Sequence, residues 1–152
     1  MELKERIAHI HHFIFNQTVA SICCTNNSGE LHCFCCYYAF DANEGLLYFK
    51  TGDQNQHMLW MQQQPQIAGT ILPDKLNKLQ VKGIQFNGTL LPVGDVATRQ
   101  ASKRYHLKFP LALAIAGTVQ TIRLDQIKMT DNSLGFGTKL IWERASLLHN
   151  AE

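Results

Sequence analysis

Hydrophobic residues at helical spacing mark three segments of the chain. In residues 2–15, apolar side chains recur at intervals of four and three, which predicts an amphipathic helix with an apolar stripe formed by Leu3, Ile7, Ile10 and Ile14. A second, short helix is predicted between Asp53 and Pro65, because proline ends a helix. A third is predicted from Val96 to about Leu107, capped by Asp95, with Ala97, Ala101 and Tyr105 facing inward.

Runs rich in β-branched and aromatic residues predict a series of strands along the rest of the chain. Turn residues separate the first three runs, which therefore form a meander. Gly83 and Gly88 interrupt a later run, as bulges and bends do. Many bent strands favour a closed barrel over a flat sheet. The predicted strands are residues 18–25, 30–40, 46–51, 67–72, 80–91, 119–128 and 139–144.

The junction between the third strand and the second helix is the first candidate site. A loop that opens a helix presents backbone N–H groups without helical acceptors, and these groups attract anions such as phosphate. Thr51, Gln56 and His57 lie at this junction. The pattern predicts a binding site for an anion, but it does not indicate a reaction.

The cysteines lie close together between Cys23 and Cys36. If residues 27 and 28 form the tip of the first hairpin, Cys23 faces His32 across the ladder, and alternation separates Cys36 from Cys33 and Cys35. This arrangement disfavours a four-ligand zinc site, and the histidines near the N-terminus have no partners at metal-ligand spacing. The interpretation is that the thiols are buried, reduced and free of metal. A redox-sensing thiol stays open as the alternative, although the sequence supplies no cationic neighbour that would favour the thiolate.

Composition limits the remaining classes of function. The length of 152 residues fits one domain, residues 1–152, and 45% apolar residues are enough for a core. A net charge of +2 is too small to indicate a nucleic-acid partner. No apolar run is long enough to span a membrane, and the N-terminus has no export signal. Together with an odd number of cysteines, five, this predicts a soluble, cytoplasmic protein.

The last part of the chain carries a long motif. It comprises Leu124-Asp125, the run from Ile127 to Gly137, Lys139, Trp142 and Arg144. This motif resembles the C-terminal signature of the uncharacterised bacterial YhbP-like proteins. Those proteins resemble the FMN-binding split barrels of the pyridoxamine 5'-phosphate oxidase type. Further matches cover nearly the whole chain: Tyr38 to Asp41, Leu47-Tyr48, His57, Ala68 to Thr70, Gly83 to Phe86, Gly88, Tyr105 and Phe109-Pro110.

The resemblance implies a mainly β protein of the α+β kind, a six-stranded antiparallel split β-barrel with flanking helices. It also implies a homodimer that holds a flavin, FMN, in each of two grooves between the subunits. Deazaflavin and haem also occupy split barrels, so the choice of cofactor stays open.

The resemblance also implies a set of cofactor-binding residues. The flavin phosphate of split barrels lies at the strand-loop-helix junction, where the family motif reads Thr-Arg-His and this chain has Asn55-Gln56-His57. Gln56 therefore replaces a permanently charged phosphate donor. Lys82 is the cation expected to compensate. The full expected set is Tyr37, Thr51, Gln56, His57, Lys82, Gln85, Lys139, Trp142 and Arg144.

Two functions follow from this resemblance. The first is an FMN-dependent oxidoreductase of unknown substrate, in which the flavin transfers electrons. His57 and Tyr37 are candidate proton donors, and the favoured alternatives are a structural histidine and a core tyrosine. The second is a non-catalytic binding module whose groove holds another phosphorylated ligand or none, which Gln56 favours.

Overall fold

Three α-helices flank the sheet in the computed structural model, which describes residues 1–144. They are α1 (Leu3–Asn16), α2 (Gln56–Gln63) and α3 (Ala101–Lys108). Single turns of 3₁₀ helix cover Val96–Thr98, Pro110–Ala114 and Asn132–Leu134. None of the helices in the described part of the chain is long and apolar enough to cross a membrane.

Six antiparallel strands form a closed barrel, and a seventh strand extends it. The order is β3-β2-β1-β4-β5-β6-β7, and β3 also pairs with β6, which closes the barrel and leaves β7 outside the ring. The predicted six-stranded barrel with flanking helices is therefore confirmed. The strands are β1 (Val19–Thr25), β2 (Leu31–Asp41), β3 (Leu46–Thr51), β4 (Gln66–Ile71), β5 (Lys82–Leu90), β6 (Thr118–Asp131) and β7 (Lys139–Glu143).

The β1–β2 hairpin differs from the predicted register by one residue. Asn26 and Glu30 form the last backbone hydrogen bond before the turn, which leaves three residues at the tip and puts Cys23 opposite Cys33 instead of His32. The Asn26 side chain stabilises this wider turn by accepting from the backbone N–H groups of Ser28 and Glu30, at 3.0 and 2.9 Å.

The third helix is shorter than predicted. Asp95 does cap the segment, because its carboxylate accepts from the N–H of Ala97 at 2.9 Å. That cap starts only a 3₁₀ turn, and α3 begins at Ala101. Ala101 and Tyr105 are buried as expected, whereas Ala97 is exposed because it lies in the 3₁₀ turn before α3.

Strand β3 is buried on both of its faces. Leu47 and Phe49 pack inside the barrel against β1, β5 and β6. Leu46 and Tyr48 face the opposite side, where they form a second apolar cluster with Ala101 and other residues. A strand buried on both sides reads as a continuous apolar run, which is how residues 46–49 appear in the sequence. Residues 46–49 of β3 are therefore enclosed by apolar side chains on both faces.

Residues at the end of the described chain connect the β2–β3 turn to β6. Trp142 packs in the barrel core, and the Arg144 guanidinium donates to three backbone carbonyls, those of Leu124 (2.7 Å), Glu44 (2.9 Å) and Gly45 (2.8 Å). Gly45 has a φ of +64°, and a Cβ there would lie 2.6 Å from an Arg144 nitrogen, so glycine is required at this position.

We expect Arg144→Ala to destabilise the fold. The substitution removes charge-assisted hydrogen bonds to three carbonyls, of which Gly45 keeps the Leu124 N–H as a donor, and we expect it to cost about 1.5–3 kcal/mol of the free energy of unfolding. Urea denaturation measures this difference. Arg123→Ala is the matched control, because Arg123 forms only an exposed pair with Asp125 and its loss should change stability by less than about 1 kcal/mol. Equal stability of the two variants would contradict a locking role for Arg144.

Candidate functional site

The junction between β3 and α2 is tied together by side chains. The hydroxyl of Thr51, the last residue of β3, lies 2.7 Å from Nε2 of His57, and it accepts a hydrogen bond from the Asn55 side-chain amide at 2.9 Å. Asn55 is also the residue before α2. The strand end and the first turn of the helix are thus connected directly, which gives the loop a defined shape.

The first turn of α2 presents free backbone donors. The N–H groups of Met58 and Leu59 both donate to the Asn55 carbonyl, at 3.1 and 3.3 Å. The N–H groups of Gln56 and His57 have no acceptor within the described part of the chain. These two groups, beside the Thr51 hydroxyl, are suited to an anion.

The imidazole of His57 is held in a stack of rings. Its centroid lies 3.9 Å from that of Phe34 with 16° between the planes, and 6.2 Å from that of His32. Burial lowers the pKa of His57 below its ordinary value, and the neighbouring charge of His32 lowers it further. His57 is therefore neutral at pH 7 and acts at this site as a hydrogen-bonding group.

A cavity of about 400 Å³ opens next to this junction, lined by β2, the end of β3 and the segment around Pro110–Ala114. Its volume lies within the range of about 300–1,000 Å³ that is usual for small-molecule sites. Three of the expected residues, Tyr37, Thr51 and His57, line it together. The other lining residues are Phe34, Cys35, Cys36, Lys50, Gly52, Asn55, Tyr105, Ala112, Ile115 and Ala116.

Lys50 supplies the cation of this cavity and was missed by the sequence analysis. Its ammonium donates to the Ala112 carbonyl at 2.7 Å and lies 3.1 Å from Nε2 of His106. Among the lining residues in the described chain it is the sole lysine or arginine. Strand alternation was the available signal, because it places Lys50 on the same face as Tyr48 at the end that meets the loop.

The other expected residues lie elsewhere in this chain. Gln56 is exposed as the first residue of α2 and does not line the cavity. Gln85 is exposed on β5, opposite Thr70 and Lys128. Lys139 is exposed on β7, with its ammonium 3.3 Å from the Thr130 hydroxyl. Trp142 is 3% exposed in the core, and Arg144 binds the carbonyls described above, so both stabilise the barrel in this chain.

Lys82 lines a second, separate cavity of about 490 Å³. Its ammonium lies 3.9 Å from the fully buried carboxylate of Asp131, which also accepts from His9 at 2.7 Å. Hydrogen bonds from Ser133 and His9 and the charge of Lys82 lower the pKa of Asp131, against the opposing effect of its burial. Within one chain, Lys82 therefore does not stand beside the Thr51–His57 junction.

The prediction that all cysteines are buried is wrong. Cys24 is buried, Cys23 and Cys36 are half-buried, and Cys33 and Cys35 are exposed on the outer face of the barrel. Burial fails because β2 covers the core with only one of its faces along residues 31–37. In residues 1–144, no group of three or more His, Cys, Asp or Glu side chains is arranged to hold a metal ion.

Comparison of the sequence with known proteins identifies relatives along nearly the whole chain. It is 36% identical over 144 residues to the UPF0306 protein plu4501 of Photorhabdus laumondii, covering 95% of this chain and 100% of the relative. It is 35% identical over 140 residues to the UPF0306 protein YhbP of Escherichia coli O127:H6, covering 92% and 99%. These relatives confirm the predicted YhbP resemblance. None of the known protein-family models matches the chain.

Comparison of the structure finds the same barrel in proteins of low sequence identity. A heme binding protein from Mycobacterium smegmatis has a TM-score of 0.75 at 13% identity, covering 91% of this chain and 57% of its own. A FAD-binding protein from Mesorhizobium loti has a TM-score of 0.64 at 14% identity, covering 79% and 88%. An F420 reductase has a TM-score of 0.56 at 11% identity, covering 77% and 94%. These structural similarities show that the chain shares the fold of these proteins.

We expect the pKa of His57 to rise when its stack is removed. In the native chain its NMR titration midpoint should lie below the ordinary value of 6.5. Phe34→Ala exposes the imidazole to water and should move the midpoint toward 6.5, because desolvation is the main cause of the shift. Phe109→Ala is the control, since Phe109 packs on Tyr37 and Tyr105 instead.

The same shift has a defined effect on stability. The unfolded chain takes up the proton first, so the His57 contribution to the free energy of unfolding falls as the pH drops below about 6.5. An unchanged midpoint in Phe34→Ala would show that Phe34 does not control the pKa of His57.

Proposed function

This chain belongs to the UPF0306 YhbP family, and from that membership and the β3–α2 cavity we propose that it is a flavin-binding protein whose flavin is FMN. One observation carries the proposal. A single cavity joins polar groups at the end of β3 with aromatic side chains of β2 and α3. The flavin-binding and heme-binding proteins that share the barrel support the same class of ligand.

The polar end of the cavity fits a phosphate. The Thr51 hydroxyl, the backbone N–H group of His57 and the Lys50 ammonium would be its donors. Lys50 takes the role that the sequence analysis assigned to Lys82, because it lines the same cavity as Thr51. A phosphate there would replace the Ala112 carbonyl as the acceptor of the Lys50 ammonium.

The apolar part of the cavity fits a planar ring system. Phe34, Tyr37 and Tyr105 line it, and Phe109 supports the two tyrosines with centroid separations of 5.5 and 5.1 Å. Aromatic side chains offer flat faces at a small cost in conformational entropy. They would orient the ring and exclude water from it.

We further propose that the bound flavin makes the protein an oxidoreductase. The flavin would supply the electron transfer, and the chain would supply position and electrostatics. His57 is neutral at pH 7 and lines the cavity, so it can accept a proton there. Burial raises the pKa of Tyr105, which keeps this phenol protonated at neutral pH.

The second candidate is a binding module for another phosphorylated ligand, without catalysis. The observation that favours it is the weak positive charge of the site, because Gln56 replaces an arginine and Lys50 is the sole lysine or arginine among the described lining residues. The visible spectrum separates the candidates. Purified flavoprotein is yellow, a heme protein shows a Soret band, and a module for a different phosphorylated ligand shows neither absorption.

A homodimer is part of the proposal. The outer face of the barrel exposes an apolar patch formed by Val19 (40% exposed), Tyr37 (58%) and Leu72 (59%). Val19 lies opposite Tyr37 in the β1–β2 ladder, and Leu72 follows β4, which pairs with β1. A two-fold dimer would cover this patch and place the second chain beside the opening near Tyr37.

We expect Leu72→Asp to separate the dimer, because it puts a charge into the apolar patch. Light scattering during size-exclusion chromatography should give twice the chain mass for the native protein and the chain mass for the variant. Val93→Asp is the matched control at an exposed position in the loop after β5, and it should stay dimeric. A native protein that runs as a monomer at micromolar concentration would end the dimer proposal.

We expect Lys50→Ala to weaken FMN binding at least tenfold. The variant loses a charged donor to the phosphate, and such hydrogen bonds contribute about 1.5–3 kcal/mol. Gln56→Arg adds a charged donor at the first residue of α2 and should strengthen binding by a similar factor. Quenching of flavin fluorescence measures both affinities.

Lys103→Ala is the control for the loss of one positive charge. Lys103 is exposed on α3 and does not line the cavity, so its removal should leave the affinity unchanged. If Lys50→Ala binds FMN as tightly as the native protein, the phosphate does not lie at the β3–α2 junction, and the binding-module candidate gains support.

A further inference from the structure

Two cysteines stand directly opposite each other on neighbouring strands of the barrel. The register of β1 and β2 pairs Cys23 with Cys33, and both thiols are free. Opposite residues of an antiparallel ladder project to the same face of the sheet. Here that face is the outer surface of the single chain, where Cys33 is exposed and Cys23 is half-buried, and the pair lies four residues along β1 from Val19 of the apolar patch on the same face.

The hydrogen bonds at the two ends of the ladder show which kind of pair this is. Tyr38 N–H donates to the Thr18 carbonyl at 3.1 Å, and Asn26 N–H donates to the Glu30 carbonyl at 3.2 Å. Hydrogen-bonded and non-hydrogen-bonded pairs alternate along an antiparallel ladder. Counting from either end, the Cys23–Cys33 pair falls on a non-hydrogen-bonded position.

That position suits a disulfide. The Cα atoms of non-hydrogen-bonded pairs lie about 4.5 Å apart, and disulfides span Cα separations of about 4.4–6.8 Å. The register places the two side chains next to each other on one face, and the neighbouring Cys33 thiol is the main cause that raises the pKa of Cys23. On the neighbouring strand β4, the residue opposite Cys23 is Ala68. Its small methyl group leaves the Cys23 sulfur accessible to a small reagent.

We infer that Cys23 and Cys33 form a reversible redox site that reacts with low-molecular-weight disulfides. The exposed Cys33, as thiolate, attacks one sulfur of the small disulfide, which forms a mixed disulfide and releases the first thiol. Cys23, as thiolate, then attacks the Cys33 sulfur and releases the second thiol. The two cysteines lose two electrons and two protons, and the small disulfide becomes two thiols.

The remaining cysteines are placed less well for this reaction. Cys35 lies opposite Ser21, and across the ladder it reaches Cys23 only along a diagonal of about 7–8 Å. Cys24 and Cys36 face the barrel core, and burial raises the pKa of Cys36 to about 12. The selectivity for the Cys23–Cys33 pair therefore follows from register and burial.

The resulting disulfide would be labile. An exposed disulfide in a tight cross-strand position is reduced more readily than a buried structural one. The raised pKa of Cys23 also predicts that the second step accelerates with increasing pH, because more of its thiolate is then present.

Treatment of the native protein with oxidised glutathione tests this inference. Free thiols should fall from five to three per chain, since one disulfide consumes two of the five cysteines. The mass of the chain should decrease by two hydrogen atoms, and excess reduced glutathione should reverse the change. Cleavage after Glu30 separates Cys23 from Cys33, so the two fragments stay linked before reduction only if the bridge crosses the hairpin.

Two matched variants identify the bridge. Cys33→Ser should abolish the link between the fragments, whereas Cys35→Ser, at the next outward-facing position of the same strand, should keep it. The circular dichroism spectrum of each variant shows whether the barrel is intact. Absence of a bridge in the native protein, or a bridge of equal yield in Cys33→Ser, would overturn the inference.

Discussion

Pairing between β3 and β6 is the constraint on which the rest of this structure depends. It converts a six-stranded sheet into a closed ring, and it runs the full length of β3, from Leu46 opposite Arg123 to Thr51 opposite Thr118. The residue before β6, Gly117, also lies close to the end of β3, since a Cβ there would lie 2.7 Å from the Thr51 carbonyl oxygen. Because β3 is enclosed by core on one side and by α3 on the other, its last residues have little freedom.

The geometry of the candidate site depends on the pairing between β3 and β6. Thr51 and Lys50 are the last two residues of β3 and belong to its two opposite faces, and both line the same cavity. Thr51 then contacts His57 and Asn55, so the start of α2 is positioned by the end of a strand that pairs on both of its edges. Preorganised donors of this kind suit the binding of an anion, because little ordering remains to be done when the ligand arrives.

The site carries less positive charge than a phosphate site that contains an arginine. His57 is neutral at pH 7 and Gln56 is uncharged, so binding of a phosphate would depend on Lys50 and on oriented N–H groups. The outer face of the same barrel has a different chemistry, since β2 turns its aromatic residue Phe34 toward His57 and its cysteines Cys33 and Cys35 outward. Strand β2 therefore contributes to the ligand cavity, which Cys35 also lines, and to the thiol pair.

The sequence by itself determined the barrel, its family and the junction at which the candidate site lies. Apolar alternation and turn residues located all seven strands, and Thr51 and His57 came together as expected because they are close along the chain. Local contacts of this kind are readable from spacing.

Only the tertiary structure decided which distant residues meet. It placed Lys82 beside Asp131 and brought Lys50 into the cavity, and it buried Trp142 in the core. It also paired Cys23 with Cys33, because the Asn26 side chain widened the turn by one residue and shifted every pair along the hairpin. Pairing across strands depends on such turn geometry and on how the ring closes, and the spacing of residues along the chain contains neither.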